Sequence, residues 1–196
     1  MSLRKMCQPI LTTSKDEKMM NIHSMFESKH FKFRTICKED RELYYKLMLD
    51  EPDTQDILHQ EMKEDLREKM LGALMAFYWS SLTERSNSVT YTIILKPADE
   101  FVGQVSLYMN KKSHLEIGIS IMKKFRGRGL GQLIVKEWTA CLTDCGDIAT
   151  QEVDLHIDES NLASRKCFES LGAKYISNAN SRYYRLTIPI EKLSSN

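Results

Sequence analysis

The stretch of this 196-residue chain best suited to chemistry is Lys123-Lys124-Phe125-Arg126-Gly127-Arg128-Gly129-Leu130-Gly131. Three glycines at every second position let a backbone turn through positive φ and approach a ligand closely. Leu130, Leu133, Ile134, Trp138, Cys141 and Leu142 then recur at helical spacing, with Gly146 as the expected stop, so the loop feeds a helix N-terminus. Free N–H groups and the helix dipole favour an anion there. With Lys123, Lys124, Arg126 and Arg128 alongside, the pattern reads as a cradle for a diphosphate.

Two other glycine-rich cradles fail on spacing. A dinucleotide fingerprint needs two residues between its second and third glycines, and only Leu130 separates Gly129 from Gly131. A P-loop closes on Gly-Lys-Ser/Thr, whereas Gly131 is followed by Gln132-Leu133.

Arg126-x-x-Gly129-x-Gly131 resembles the acetyl-CoA signature of the GNAT superfamily, Arg/Gln-x-x-Gly-x-Gly/Ala. Further on, Asn161-Leu162-Ala163-Ser164-Arg165-Lys166-Cys167-Phe168-Glu169-Ser170-Leu171-Gly172 resembles that family's Asn-x-x-Ser/Ala…Glu-x-Leu-Gly helix. The resemblance spans about residues 31–190 in element order. The Glu-Ile-Gly at 116–118 and the N-terminal layout are most similar to the ribosomal-protein (RimJ/RimL-like) N-terminal acetyltransferase branch. The resemblance implies an N-acetyltransferase that moves acetyl from acetyl-CoA to a primary amine, by direct attack in a ternary complex and with no metal. It also implies a central, mostly antiparallel twisted sheet, splayed at the cofactor site and flanked by helices.

The same resemblance assigns roles. The pantetheine arm would enter between strands 115–121 and 153–157, borrowing backbone hydrogen bonds as an added strand does. The backbone of Ile119, Ser120 and Ile121 would contact it, and one N–H there would polarise the thioester carbonyl, an effect of roughly 3 kcal/mol. The amides of Arg126, Gly127, Arg128, Gly129, Leu130 and Gly131 would hold the diphosphate, with Asn161 touching the pantetheine or adenosine side. Many relatives place a tyrosine where this chain has Phe168, to protonate the leaving thiolate. Phe168 has no proton to give; Ser164 is a candidate substitute, although a serine at a helix start is the more ordinary use. Lys123, Lys124, Arg128 and Arg165 are candidates for the ribose phosphate.

Alternation supplies the candidate base. Leu115, Ile117, Ile119 and Ile121 share one strand face, which puts Glu116, Gly118 and Ser120 on the other. A carboxylate in a partly dry cleft accepts a proton near neutral pH. A solvated strand glutamate would show the same pattern. His156 shares a face with Asp154 and reads either as a base acting through water or as a structural histidine.

These residues need elements to hold them. The pattern predicts a short strand at Phe31, Phe33 and Ile36, then a helix through Leu43, Leu47 and Met48 that stops at Pro52. Asp53 is the expected cap of a long helix or broken pair carrying Leu58, Met62, Leu66, Met70, Leu74 and Tyr78, with Gly72 a possible break. Three strand-like runs at 89–95, 101–108 and 115–121 are separated by turn-like segments, then come the helix from 130, a strand at 153–157, a helix at 161–171, and strands at 173–177 and 182–188. The fold class is mixed α/β, with one strand–helix–strand crossover. Residues 1–30 read as a flexible extension and 31–196 as a single acetyltransferase domain.

Net charge is +1, and basic residues are interleaved with acidic ones, which argues against nucleic-acid or anionic-membrane partners. No apolar run approaches the about 20 residues of a membrane span. Cys7, Cys37, Cys141, Cys145 and Cys167 are odd in number and lack histidines at ligand spacing, so they read as reduced thiols in a cytoplasmic protein. The partners expected are acetyl-CoA and an amine acceptor, in a monomer or homodimer. The competing reading is a non-catalytic acyl-CoA-binding regulatory module.

Overall fold

The runs rich in β-branched and aromatic residues pair into one sheet, and the amphipathic segments become the helices that cover it. The computed structural model describes residues 23–83, 88–109, 115–144, 152–158, 160–178 and 181–187. Its strands are β1 (Met25–Glu27), β2 (Phe31–Thr35), β3 (Ser88–Leu95), β4 (Glu100–Met109), β5 (Leu115–Ile121), β6 (Glu152–His156), β7 (Lys174–Asn178) and β8 (Ser181–Thr187). Its helices are α1 (Arg41–Leu49), α2 (Pro52–His59), α3 (Glu64–Thr83), α4 (Leu130–Asp144) and α5 (Leu162–Ser170). The strand order is β1-β2-β3-β4-β5-β6-β8-β7. Every neighbouring pair is antiparallel except β5–β6, which α4 joins as a parallel crossover.

The two faces of the sheet differ chemically. One carries Tyr91, Ile93, Val105, Leu107, Ile117, Val153, Leu155 and Leu186, all buried in the main core with Ile134, Trp138 and Leu142 of α4 and Phe168 of α5. The other carries Thr90, Thr92, Gln104, Ser106 and Glu116, polar yet buried. Helices α1 and α3 cover that face: Tyr44 Oη meets Thr92 Oγ1 at 3.1 Å, and Gln104 Nε2 donates to Tyr78 Oη at 3.4 Å. A second apolar cluster of Ile36, Tyr44, Met48 and Met75 holds those helices down.

Several sequence expectations change. Asp53 does not cap the second helix; α2 begins at Pro52, with Glu51 in the extended cap position. Proline lacks the N–H that a first helical residue leaves unpaired anyway, so Pro52 opens α2 as well as barring α1. The break before α3 falls at 60–63, and Gly72 lies inside α3. Ahead of residue 31, β1 pairs antiparallel with β2, and Phe26 is buried in the core, so the sheet begins in the segment expected to be an extension. Gly146 and residues 1–22 lie outside the described residues.

One irregularity shapes the site. In β4, Phe101 pairs with Ile94 and Gly103 with Ile93, which leaves Val102 as the extra residue of a bulge. A Cβ at Gly103, whose φ is +158, would sit 2.0 Å from the Ser120 carbonyl oxygen, so only glycine lets β4 lie this close to β5. The Val102 carbonyl then accepts from Met122 N at 2.8 Å, anchoring the chain where it leaves β5 for the glycine-rich loop.

Candidate active site

That loop opens with a 3-10 turn at Lys123–Phe125. Phe125 is buried beneath it, and Phe125 N donates to the Met122 carbonyl at 2.8 Å. Gly127 and Gly129 adopt φ of +74 and +73, the left-handed region that disfavours any side chain. A Cβ at either would meet nothing within 4 Å, so the loop is open where a ligand would lie. Leu130 begins α4, so the first-turn amides of the helix, Leu130 and Gly131 among them, face this opening. The expected cradle of Arg126, Gly127, Arg128, Gly129, Leu130 and Gly131 is thus one contiguous helix entrance.

The cations around it differ in their engagement. Arg126 turns back, Nε donating to the Ile121 carbonyl at 2.6 Å and Nη2 standing 3.5 Å from Glu51 Oε1. Lys124 pairs with Glu100, and Arg165 lies over the Tyr184 ring at 6.0 Å. Lys123 and Arg128 are exposed. Asp50 Oδ2 accepts from Lys123 N at 2.7 Å, so the α1–α2 junction braces the loop from the helical side.

Beside the cradle, β5 and β6 hold together at one described register pair, Glu116 with Asp154. From that point toward Ile119–Ile121 and His156 no further pair continues the ladder among the described residues. The same stretch of β5 stays zipped to β4 as far as Gly103–Ile121. The sheet is therefore open on the β6 side, where the backbone of Ile119, Ser120 and Ile121 was expected to meet a pantetheine arm.

At the root of this opening the Glu116 side chain is 6% exposed, and its Oε2 lies 3.3 Å from His156 Nε2; the His156 side chain is 46% exposed. A buried carboxylate thus touches an imidazole that reaches solvent. Asp154, on the same face, is taken by Arg185, whose Nε donates to Oδ1 at 2.7 Å and raises its own pKa through that bond. Sequence reasoning placed Glu116 on the polar face and named His156, but did not bring the two together.

On the far side of the cradle, α5 starts with Asn161, whose Oδ1 accepts from Ser164 N at 3.0 Å. The Ser164 backbone thereby serves the helix start. Phe168 is buried in the core with Trp138. Gly131 sits close to α5: a Cβ there would lie 3.3 Å from Cys167 Sγ.

One polar group escaped the sequence reading. Tyr78 of α3 continues the helical stripe of the sequence, and its hydroxyl accepts from Gln104 Nε2 at 3.4 Å. The available signal was the alternation Gln104–Ser106 in a strand otherwise apolar, which marks a polar face needing partners.

A glycine-rich helix entrance thus lies beside a parallel strand pair with one described rung. The sequence matches the family model described as "Acetyltransferase (GNAT) domain" over residues 30–174, and the chain belongs to that family. It is an acetyl-CoA-dependent acetyltransferase.

Solved structures agree on the fold. A domain from Methanocaldococcus jannaschii is 25% identical, with a TM-score of 0.56, covering 81% of this chain and 98% of that one. RimL, a ribosomal L7/L12 alpha-N-protein acetyltransferase solved with coenzyme A, is 14% identical with a TM-score of 0.58, covering 85% and 99%. The aminoglycoside acetyltransferase AAC(6')-Ib, also solved with coenzyme A, is 15% identical with a TM-score of 0.58, covering 80% and 94%. No curated protein matches by sequence. Among the described residues, no group of three or more His, Cys, Asp or Glu side chains is arranged to hold a metal, and no helix is long and apolar enough to cross a membrane.

Proposed function

We propose that this protein transfers acetyl from acetyl-CoA to a primary amine, a protein N-terminus or a small-molecule amine, by direct attack within a ternary complex. The observation that carries the reading is the buried Glu116 carboxylate at the root of the β5–β6 opening, in contact with a solvent-reaching His156. The amine nitrogen attacks the thioester carbon, its proton passes to Glu116, and coenzyme A departs as the thiolate. A base already sitting in a dry cleft supplies roughly 10²–10⁴-fold.

In this reading the amides of residues 126–131 hold the diphosphate, and the backbone of Ile119, Ser120 and Ile121 holds the pantetheine. Asn161 lines the cofactor's flank, with Phe168 packed behind it. Ser164 donates its backbone N–H to the Asn161 cap, and we assign its hydroxyl to the departing thiolate. Helices α2 and α3 and the β7–β8 hairpin form the acceptor side. RimL and AAC(6')-Ib act on a protein N-terminus and on aminoglycosides respectively, and the family resemblance at residues 116–118 favours the protein α-amine. The domain is a single unit that takes in β1. Among the described residues Cys37, Cys141 and Cys167 form no disulfide, which suits work in the cytoplasm.

Calorimetric titration with acetyl-CoA, on the wild type and on Gly129→Trp, tests the cradle. Binding by the wild type that the substitution abolishes supports the reading, and absence of wild-type binding overturns it. Turnover on an amine panel then separates the enzyme from a non-catalytic acyl-CoA-binding module, the alternative that Phe168 leaves open.

A further inference from the structure

The polar face of the sheet carries a hydrogen-bonded row that ends in the opening between β5 and β6. Thr90 Oγ1 meets Ser106 Oγ at 2.9 Å, and Ser106 Oγ donates to Gln104 Oε1 at 3.1 Å. In this arrangement the amide oxygen of Gln104 faces Ser106. Gln104 Nε2 therefore points away and donates to Tyr78 Oη at 3.4 Å. With its oxygen accepting from Gln104, the Tyr78 hydroxyl keeps its own proton to donate, and it stands over the β4–β5 pair at the level of Ser120. Ser120 is the cross-strand partner of Gln104 and lies on β5 past the Glu116–Asp154 rung.

We propose that Tyr78 donates a hydrogen bond to the thioester carbonyl oxygen of bound acetyl-CoA, from the α3 side, as that oxygen takes up negative charge. The inference rests on the acetyl-CoA reading above and deepens it. When the amine attacks, the carbonyl π pair moves to oxygen; when the intermediate collapses, that pair re-forms the double bond and the carbon–sulfur bond breaks toward sulfur. Tyr78 keeps its proton throughout and contributes only the hydrogen bond, a second donor beside the β5 backbone.

Its environment suits that task. Burial pushes the phenol well above the usual tyrosine range, the Glu51 charge adds to this, and the Ser120 hydrogen bond opposes it. The hydroxyl is therefore a donor at any pH the enzyme meets. The row behind it is anchored in two strands, so the donor is held before the substrate arrives. A tyrosine at position 168 would have approached from α5; Tyr78 approaches from the opposite face and serves the oxygen instead of the sulfur.

Infrared difference spectroscopy of acetyl-CoA labelled with carbon-13 at the carbonyl, bound to the wild type and to Tyr78→Phe, tests this without knowledge of the acceptor. The carbonyl band should fall to lower frequency on binding the wild type. In Y78F, which keeps the buried ring, it should move back toward the free value while the cofactor Kd changes by less than about twofold. With an acceptor in hand, kcat should fall roughly 10²-fold in Y78F with the acetyl-CoA KM unchanged. Identical bands in the two proteins would overturn the assignment, as would loss of cofactor binding in Y78F, which would make Tyr78 part of the pocket wall. Failure of the wild type to bind acetyl-CoA would instead overturn the functional reading itself.

Discussion

Glu116 and His156 come from the two central strands that diverge, and they meet at 3.3 Å just where the strands part. Only the imidazole of the pair reaches water. A proton accepted by the carboxylate thus has in His156 a neighbour able to pass it outward.

Replacing Glu116 by Gln keeps the size and a hydrogen-bonding partner for His156 while removing the base. We expect kcat to fall by roughly 10²–10⁴-fold. The calorimetric Kd for acetyl-CoA should stay within about twofold, because the cradle lies at the other end of β5. An equal loss of cofactor affinity and turnover would show that Glu116 shapes the pocket and does not accept the proton.

Gly129→Trp should abolish acetyl-CoA binding and leave the fold intact. The position has φ +73 with open space around it, so a side chain costs roughly 1–2 kcal/mol in the left-handed region and projects into the ligand's place. Thermal melts should show a modest fall in Tm. A variant that still binds acetyl-CoA with near wild-type affinity would place the diphosphate elsewhere.

Asp40 makes stability depend on acid. Its carboxylate is buried, which alone would raise its pKa, but the Arg34 guanidinium and the Cys37 N–H hold it below the usual carboxylate range. Arg34 reaches it twice, at 2.7 and 2.5 Å, and Thr92 Oγ1 donates at 3.1 Å. A folded pKa below the unfolded value of about 3.9 stabilises the native state above that value. The contribution is lost as pH falls through the lower, folded pKa. Asp40→Asn should cost about 2 kcal/mol at pH 7, since the half-buried Arg34 loses its charged partner. The gap from wild type in urea unfolding should narrow below about pH 4; a constant gap down to about pH 2 would refute the coupling.

What was legible in the sequence was what is local in the chain. The cradle depends on three glycines and a helix start within nine consecutive residues, so spacing alone exposes it. The Asn161 cap is equally local. The Tyr78–Gln104 contact joins a helix to a strand, and the β4–β5 register sets Ser120 beside it. No periodicity carries that register. The break at 60–63 was hidden because Leu58, Met62 and Leu66 keep helical spacing across it. Gly72 misled for the opposite reason: an exposed helical glycine costs only about 1 kcal/mol, which the twenty-residue α3 absorbs.

Asn161 and Ser164 share one hydrogen bond, and substitutions separate their roles. Asn161→Ala removes the acceptor for Ser164 N and should destabilise by about 1 kcal/mol, as loss of an N-cap does. Asn161→Asp keeps the cap, so its melt should match wild type. Any fall in acetyl-CoA affinity in Asn161→Asp then reports contact with the cofactor and not disorder of α5. Ser164→Ala leaves the backbone N–H and hence the cap untouched. If the Ser164 hydroxyl protonates the thiolate, kcat should fall at least about tenfold with Tm and cofactor Kd unchanged. Because Ser164→Ala alters only that hydroxyl, an unchanged kcat would mean that coenzyme A leaves without an acid from α5, its thiol being acidic enough to depart as the free thiolate.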